Sequence, residues 1–111
     1  GYAKAQYNLG FMYSNGEGVL EDDKEAVKWY QMAAEQGEAR AQYNLGLMYA
    51  LGLGAIEDIV YAHMWWNIAA SLGFEDALEN KKIASNMMTS SQIKKAQELA
   101  RQCVKKNYKD C

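Results

Sequence analysis

A block of residues in this chain returns, without a gap, 36 positions later. Ala5-Gln6-Tyr7-Asn8-Leu9-Gly10 recurs as Ala41-Gln42-Tyr43-Asn44-Leu45-Gly46. The match runs on through Met12-Tyr13 and Met48-Tyr49, Gly16-x-Gly18 and Gly52-x-Gly54, and Glu21-Asp22 and Glu57-Asp58. It continues through Trp29 and Trp65, and Ala33-Ala34 and Ala69-Ala70, to Gly37 and Gly73. Between residues 5–40 and 41–76, 17 of 36 positions are identical, too many in one register for shared composition to produce. A period of this length means that each unit buries its apolar face only by stacking on the next. That constraint excludes most folds built around a single closed core and leaves a solenoid.

Each unit reads as two helices. Ala5, Leu9, Met12 and Tyr13 fall on one helical face at spacings of three and four. Gly10 costs such a helix about 1 kcal/mol of propensity; a missing side chain that lets the partner helix approach is the expected compensation. Asn15-Gly16-Glu17-Gly18 then ends the helix. Asp22 is placed to cap the next one, with Glu25 three residues on as in a capping box. Ala26, Trp29, Tyr30 and Ala33 form the second helix's buried stripe, and Gly37 suits a left-handed terminus. The second unit repeats the plan with Asp58 and Trp65-Trp66.

The absence of proline and the abundance of Ala, Leu, Glu, Lys, Gln and Met agree with an all-α chain. No apolar stretch approaches the roughly 20 residues of a membrane span, so no membrane insertion is expected. Residues 77–111 lose the Leu-Gly and Gly-x-Gly signals. A helix over residues 74 to about 87 is expected there. Thr89 with Gln92 then opens a basic helix over about Ser90 to Lys106. This segment reads as a degenerate C-terminal capping helix pair, because a terminal repeat turns one face to water. Gly1 aligns with Gly37, which suggests that a helix pair ahead of Ala5 is missing. The face left open would meet a neighbour or a dimer mate.

Charge is unevenly distributed. Residues 1–80 carry four basic and twelve acidic side chains, and residues 81–111 carry eight basic and two acidic ones. A net charge of −2 disfavours a dedicated nucleic-acid binder. The imbalance reads either as a solvated terminal helix or as ends of unlike charge that steer docking and self-association.

The pattern Ala5-x-x-x-Leu9-Gly10-x-x-Tyr13-x-x-Gly16-x-Gly18-Val19, followed by Asp22, Ala26, Trp29-Tyr30 and Ala33-Ala34-x-x-Gly37, resembles the Sel1-like repeat family. That family is a branch of the tetratricopeptide superfamily. The resemblance covers residues 1–76. The ending Met88-Thr89-Ser90-x-Gln92-Ile93 looks like the closing helix of bacterial members. The resemblance implies a right-handed superhelix of antiparallel helix pairs and an adaptor that binds another protein or peptide. Ala55, standing where the first unit has Val19, is a minor departure.

Chemical alternatives are weak. The Gly-x-Gly pairs lack a third glycine and follow helices, so no dinucleotide cofactor is expected. The acidic loop Glu17 to Asp23 lacks the alternating ligands of a calcium loop. His63, the sole histidine, has no cysteine or carboxylate at metal-ligand spacing, and a helix-surface or interface position is expected for it. Ser91-Gln92-Ile93-Lys94 matches Ser-x-x-Lys, but both companion motifs of β-lactam-interacting enzymes are missing. No cofactor, metal or catalytic residue is therefore assigned.

In tetratricopeptide-like solenoids the first helices line the concave side. The stripe there is Lys4, Tyr7, Phe11 and Ser14, copied as Arg40, Tyr43, Leu47 and Ala50, with Asp76, Glu79 and Ile83 as a third row. Asn8 and Asn44 lie beside it. An apolar band edged by Lys4 and Arg40 is the expected partner surface, unless these side chains pack against adjacent repeats. Cys103 and Cys111 are expected to form a disulfide. On a continuous helix they would stand about 12 Å apart, beyond the roughly 7 Å limit, so the helix should end near Asn107. A disulfide would point to a periplasmic or secreted setting, with a cytoplasmic one as the alternative.

Overall fold

Six helices follow one another: α1 (Tyr2–Asn15), α2 (Asp23–Ala34), α3 (Ala39–Leu51), α4 (Ile59–Ser71), α5 (Glu75–Met87) and α6 (Ser90–Lys105). This computed structural model describes residues 2–111, and no strand occurs among the described residues. Gly1, aligned above with Gly37, lies outside them. Helices α1 and α2 pack as one antiparallel pair and α3 and α4 as another, with α2 against α3 joining the two. The result is an all-α helical repeat solenoid, 42 × 25 × 23 Å in extent.

A ring seated on a glycine closes each pair. Tyr30 of α2 lies so near Gly10 of α1 that an added Cβ would stand 2.7 Å from the ring. In the second pair the Trp66 indole occupies the same place over Gly46, and its Nε1–H donates to the Tyr43 carbonyl at 3.1 Å. The propensity lost at these glycines thus returns as close helix packing and buried aromatic area. Asp22 caps α2 by accepting from the Glu25 N–H at 3.1 Å. Asp58 caps α4 by accepting from the N–H groups of Val60 and Tyr61. The reciprocal bond of a capping box is formed only at Thr89 and Gln92; Glu25 makes none among the described residues, so the first cap is half of the expected motif.

Identical residues are not identically buried. Ala41 and Leu45 are wholly buried, whereas Ala5 is exposed and Leu9 half-exposed. Trp65 sits in the core, but Trp29 is only partly covered. The expected buried face of the first unit therefore needs correction. The reason is stacking: α3 lies between α2 and α4 while α1 has a close neighbour on one side, and α4 is packed by α3, α5 and α6 where α2 has α1 and α3.

The C-terminal segment also departs from a helix pair. Both α5 and α6 pack on α4, and they scarcely touch each other. Their small-residue faces are each turned to α4: Ala77 and Ala84 join Ala62, Trp66 and Ala69, and Ala100 and Cys103 join Met64 and Ile68. With no glycine on α5 and no aromatic on α6, nothing seats one helix on the other. Beyond α6, Asn107, Tyr108 and Asp110 take left-handed φ values of 54°, 67° and 54°. This turn carries Cys111 back to Cys103, where a disulfide joins Cα atoms 5.6 Å apart. The tail also reaches the first junction: Tyr108 lies against Gly37, and Lys109 Nζ donates to the Glu35 carbonyl at 3.1 Å.

The aromatic seat has a direct test. Gly46→Ala raises helix propensity by about 1 kcal/mol, yet its methyl overlaps the Trp66 ring, and such overpacking costs about 1–3 kcal/mol. We expect urea melts of Gly46→Ala to show a net loss of stability. A variant more stable than the parent would mean that the glycine is not a seat.

Candidate functional site

Two clefts, one between α1 and α3 and one between α3 and α5, meet at Leu47. The first, of about 120 Å³, lies between α1 and α3 and is lined by Phe11, Ser14, Asn44 and Leu47, with Tyr30 behind them. The second, of about 270 Å³, lies between α3 and α5 and is lined by Leu47, Ala50, Ile83 and Met87 over Trp66. The surfaces of Phe11, Ile83 and Met87 are well exposed, at 42%, 57% and 73%. Apolar side chains kept in water along adjoining helices form a surface suited to a partner.

The floor of the first cleft is polar at one point. Burial, above all, pushes the Tyr30 hydroxyl pKa up to about 12, while a hydrogen bond with Asn44 works the other way and Ser14 adds a smaller one. A neutral phenol and two small polar groups can exchange hydrogen bonds with a bound backbone, but supply no charge.

The expected stripe divides. Phe11, Asn44 and Leu47 line the clefts. Tyr7, Arg40 and Tyr43 are instead engaged within the chain. The Arg40 guanidinium lies 4.5 Å over the Tyr7 ring and pairs with Glu38 at 2.8 Å. That hydrogen bond holds the Glu38 carboxyl below its usual pKa and raises that of Arg40. Tyr7 also packs on Tyr30, with centroids 6.0 Å apart, and Tyr43 on Phe74, at 5.2 Å. Lys4 and Asn8 are exposed on α1 and line neither cleft. The correction has a simple origin: helical spacing gives the face of a residue, not how deeply the preceding or following unit covers it. Met87 was missed because α5 lost the repeat signals that located the other rows.

Comparison with known proteins agrees with the repeat fold. The Sel1 repeat family model matches residues 3–38 and 39–74. A protective antigen of uropathogenic Escherichia coli strains, displaying an SLR fold, superposes with a TM-score of 0.91 at 33% identity, over 96% of this chain and 24% of that one. A Sel1 repeat protein from Oxalobacter formigenes gives 0.70 at 39% identity, over 71% of this chain and 32% of that one. Chitin synthase regulatory factor 3 of Schizosaccharomyces pombe is 54% identical over 37 residues, which are 33% of this chain and 4% of that protein. The chain thus spans a small part of the curated relative it matches.

The single histidine lies apart from the clefts. His63 is buried at the interface of α4 with α5, where its Nε2 stands 3.0 Å from the Ser85 hydroxyl. That hydroxyl donates to the Lys81 carbonyl at 2.9 Å, so its oxygen accepts from His63 Nε2–H, and the bare Nδ1 has no partner. Burial first, and Lys81 second, lower the His63 pKa from 6.5. The folded chain therefore keeps His63 neutral where the unfolded chain takes up a proton. The resulting stability is present above about pH 6.5 and is lost as pH falls toward the lower folded pKa. Thermal melts should drop between about pH 7.5 and about pH 5.5, and His63→Asn should flatten that slope. Equal slopes would mean that His63 ionises freely in the folded chain.

Proposed function

The chain belongs to the Sel1 repeat family, whose members are generally protein-interaction modules, and we propose that it holds an extended segment of a partner protein along α1, α3 and α5. The observation that carries this reading is the pair of clefts meeting at Leu47, flanked by exposed Phe11, Ile83 and Met87. Two apolar side chains of a peptide would enter the clefts, with Asn44 beside its backbone. Tyr7, Arg40 and Tyr43 would act by fixing the groove wall, not as primary anchors. The fold is typically a non-enzymatic scaffold, and we read this chain in the same way. Ser91 and Lys94 both stand exposed at the start of α6 and line no cleft. We further propose an oxidising setting, periplasmic or secreted, which the Cys103–Cys111 pairing supports.

Peptides selected from a displayed random library on the immobilised chain provide the test. Phe11→Ala and Ile83→Ala should each weaken the selected peptides by about 1–2 kcal/mol, as anchor truncations do. Both should leave the melting temperature nearly unchanged, since the side chains are exposed. Selected peptides indifferent to both changes would place the binding surface elsewhere. For the setting, protein from its native source should carry no alkylatable thiol before reduction. Replacing both cysteines by serine should cost roughly 2–3 kcal/mol of stability. Two free thiols in the native protein would remove the proposed location.

A further inference from the structure

A groove separate from those clefts is formed by α4 and α6. It lies between the C-terminal halves of α4 and α6, measures about 460 Å³, and has Ile68, Ala100 and Val104 as its apolar lining. Arg101 and Lys105 edge it, both exposed. Lys81 of α5 stands at the same rim, donating to Asn67 Oδ1 at 3.3 Å. Among the described residues the one ion pair is Arg40 with Glu38, so none of these three cations has an acidic partner within the chain. An apolar slot with an unpaired basic rim fits an aliphatic side chain flanked by carboxylates.

Such a segment exists on this chain. The loop between α1 and α2 projects Leu20, 91% exposed, next to Glu21 and Asp22 and close to Glu17. The loop between α3 and α4 repeats the device with Ile56, 90% exposed, next to Glu57 and Asp58. Side chains this apolar gain nothing from water, and helix capping needs only the aspartates. Both loops lie where first helices end and second helices begin. The groove lies toward the opposite ends of the second helices, so a loop and the groove stand at opposite edges of the solenoid.

We propose that the α4–α6 groove receives the Leu20 loop of a second copy of this chain. Leu20 sits over Ile68 and Val104, and Glu17 and Glu21 face Arg101 and Lys105. The contact is heterologous, because it joins unlike surfaces and leaves a free loop and a free groove at the two ends. Association therefore runs head to tail and weakens as salt screens the rim. It leaves the α1–α3–α5 clefts uncovered and does not depend on the partner proposed for them.

Sedimentation of the chain at low and high salt tests the proposal, together with two charge-reversed variants at exposed positions. The parent should grow in size with concentration and do so less at high salt. Arg101→Glu with Lys105→Glu, and separately Glu17→Lys with Glu21→Lys, should each lose about tenfold or more in association constant. An equimolar mixture of the two should associate again, because each groove then meets a loop of opposite charge. Recovery in the mixture separates this contact from stacking through the open face of α1, which neither pair of substitutions touches. A parent that stays monomeric at every concentration, variants that associate like the parent, or a mixture that stays monomeric would each overturn it. The last pattern would leave the groove to a different acidic partner.

Discussion

An aromatic ring resting on the backbone of the facing helix is the contact on which the rest of this fold depends. Tyr30 on Gly10 and Trp66 on Gly46 set the spacing within each pair. They hold the first helix close against an alanine-rich second helix, on which Ala26, Ala33 and Ala34 are all fully buried. Small residues alone bury little area, so the large rings contribute most of the apolar burial at each seat. The same ring serves the surface above it. Tyr30 is buried, but its hydroxyl side forms the floor of the cleft between α1 and α3.

The junction between units is held differently. Gln42 of α3, fully buried, donates through Nε2 to the Ala34 carbonyl near the end of α2 at 3.2 Å. That carbonyl, at the C-terminal end of the helix, also accepts from the Gly37 N–H at 3.0 Å, so the side chain of the next unit adds a second bond to the helix terminus. The loop at Gly54, φ 73°, lies directly against the backbone of Asp23 and Lys24 at the start of α2, where a Cβ has no room. At the other edge the disulfide-closed tail places Tyr108 against Gly37. The junction between the two repeats is thus tied at both edges. The clefts along α1, α3 and α5 remain uncovered, which is where the proposed binding surface lies.

Corrections to the expected site share one cause. Helical spacing puts Lys4, Tyr7, Phe11, Arg40, Tyr43 and Leu47 on corresponding faces. Spacing carries no information on what a neighbouring unit contributes. Phe74, from the turn after α4, covers Tyr43; Arg40, from the next first helix, covers Tyr7. Phe11, Asn44 and Leu47 keep a face open to the clefts, with Tyr30 beneath them. His63 illustrates the same point: it stands in the sequence as an isolated polar residue, and only the approach of α5 supplies Ser85 and buries the ring.

The sequence by itself determined the repeat, the two helices of each unit, the caps at Asp22, Asp58 and Thr89, and the glycines that receive a ring. These follow from local chemistry: periodicity of apolar residues, side-chain oxygens near free N–H groups, and the absence of a Cβ. The tertiary structure alone decided that Ala5 is exposed while Ala41 is buried, and that α6 leaves α5 to lie on α4. It also decided that the basic end of the chain encloses an apolar groove. Each of these depends on which surfaces remain unfilled after all others have packed, and burial is a property of neighbours brought together by the whole chain.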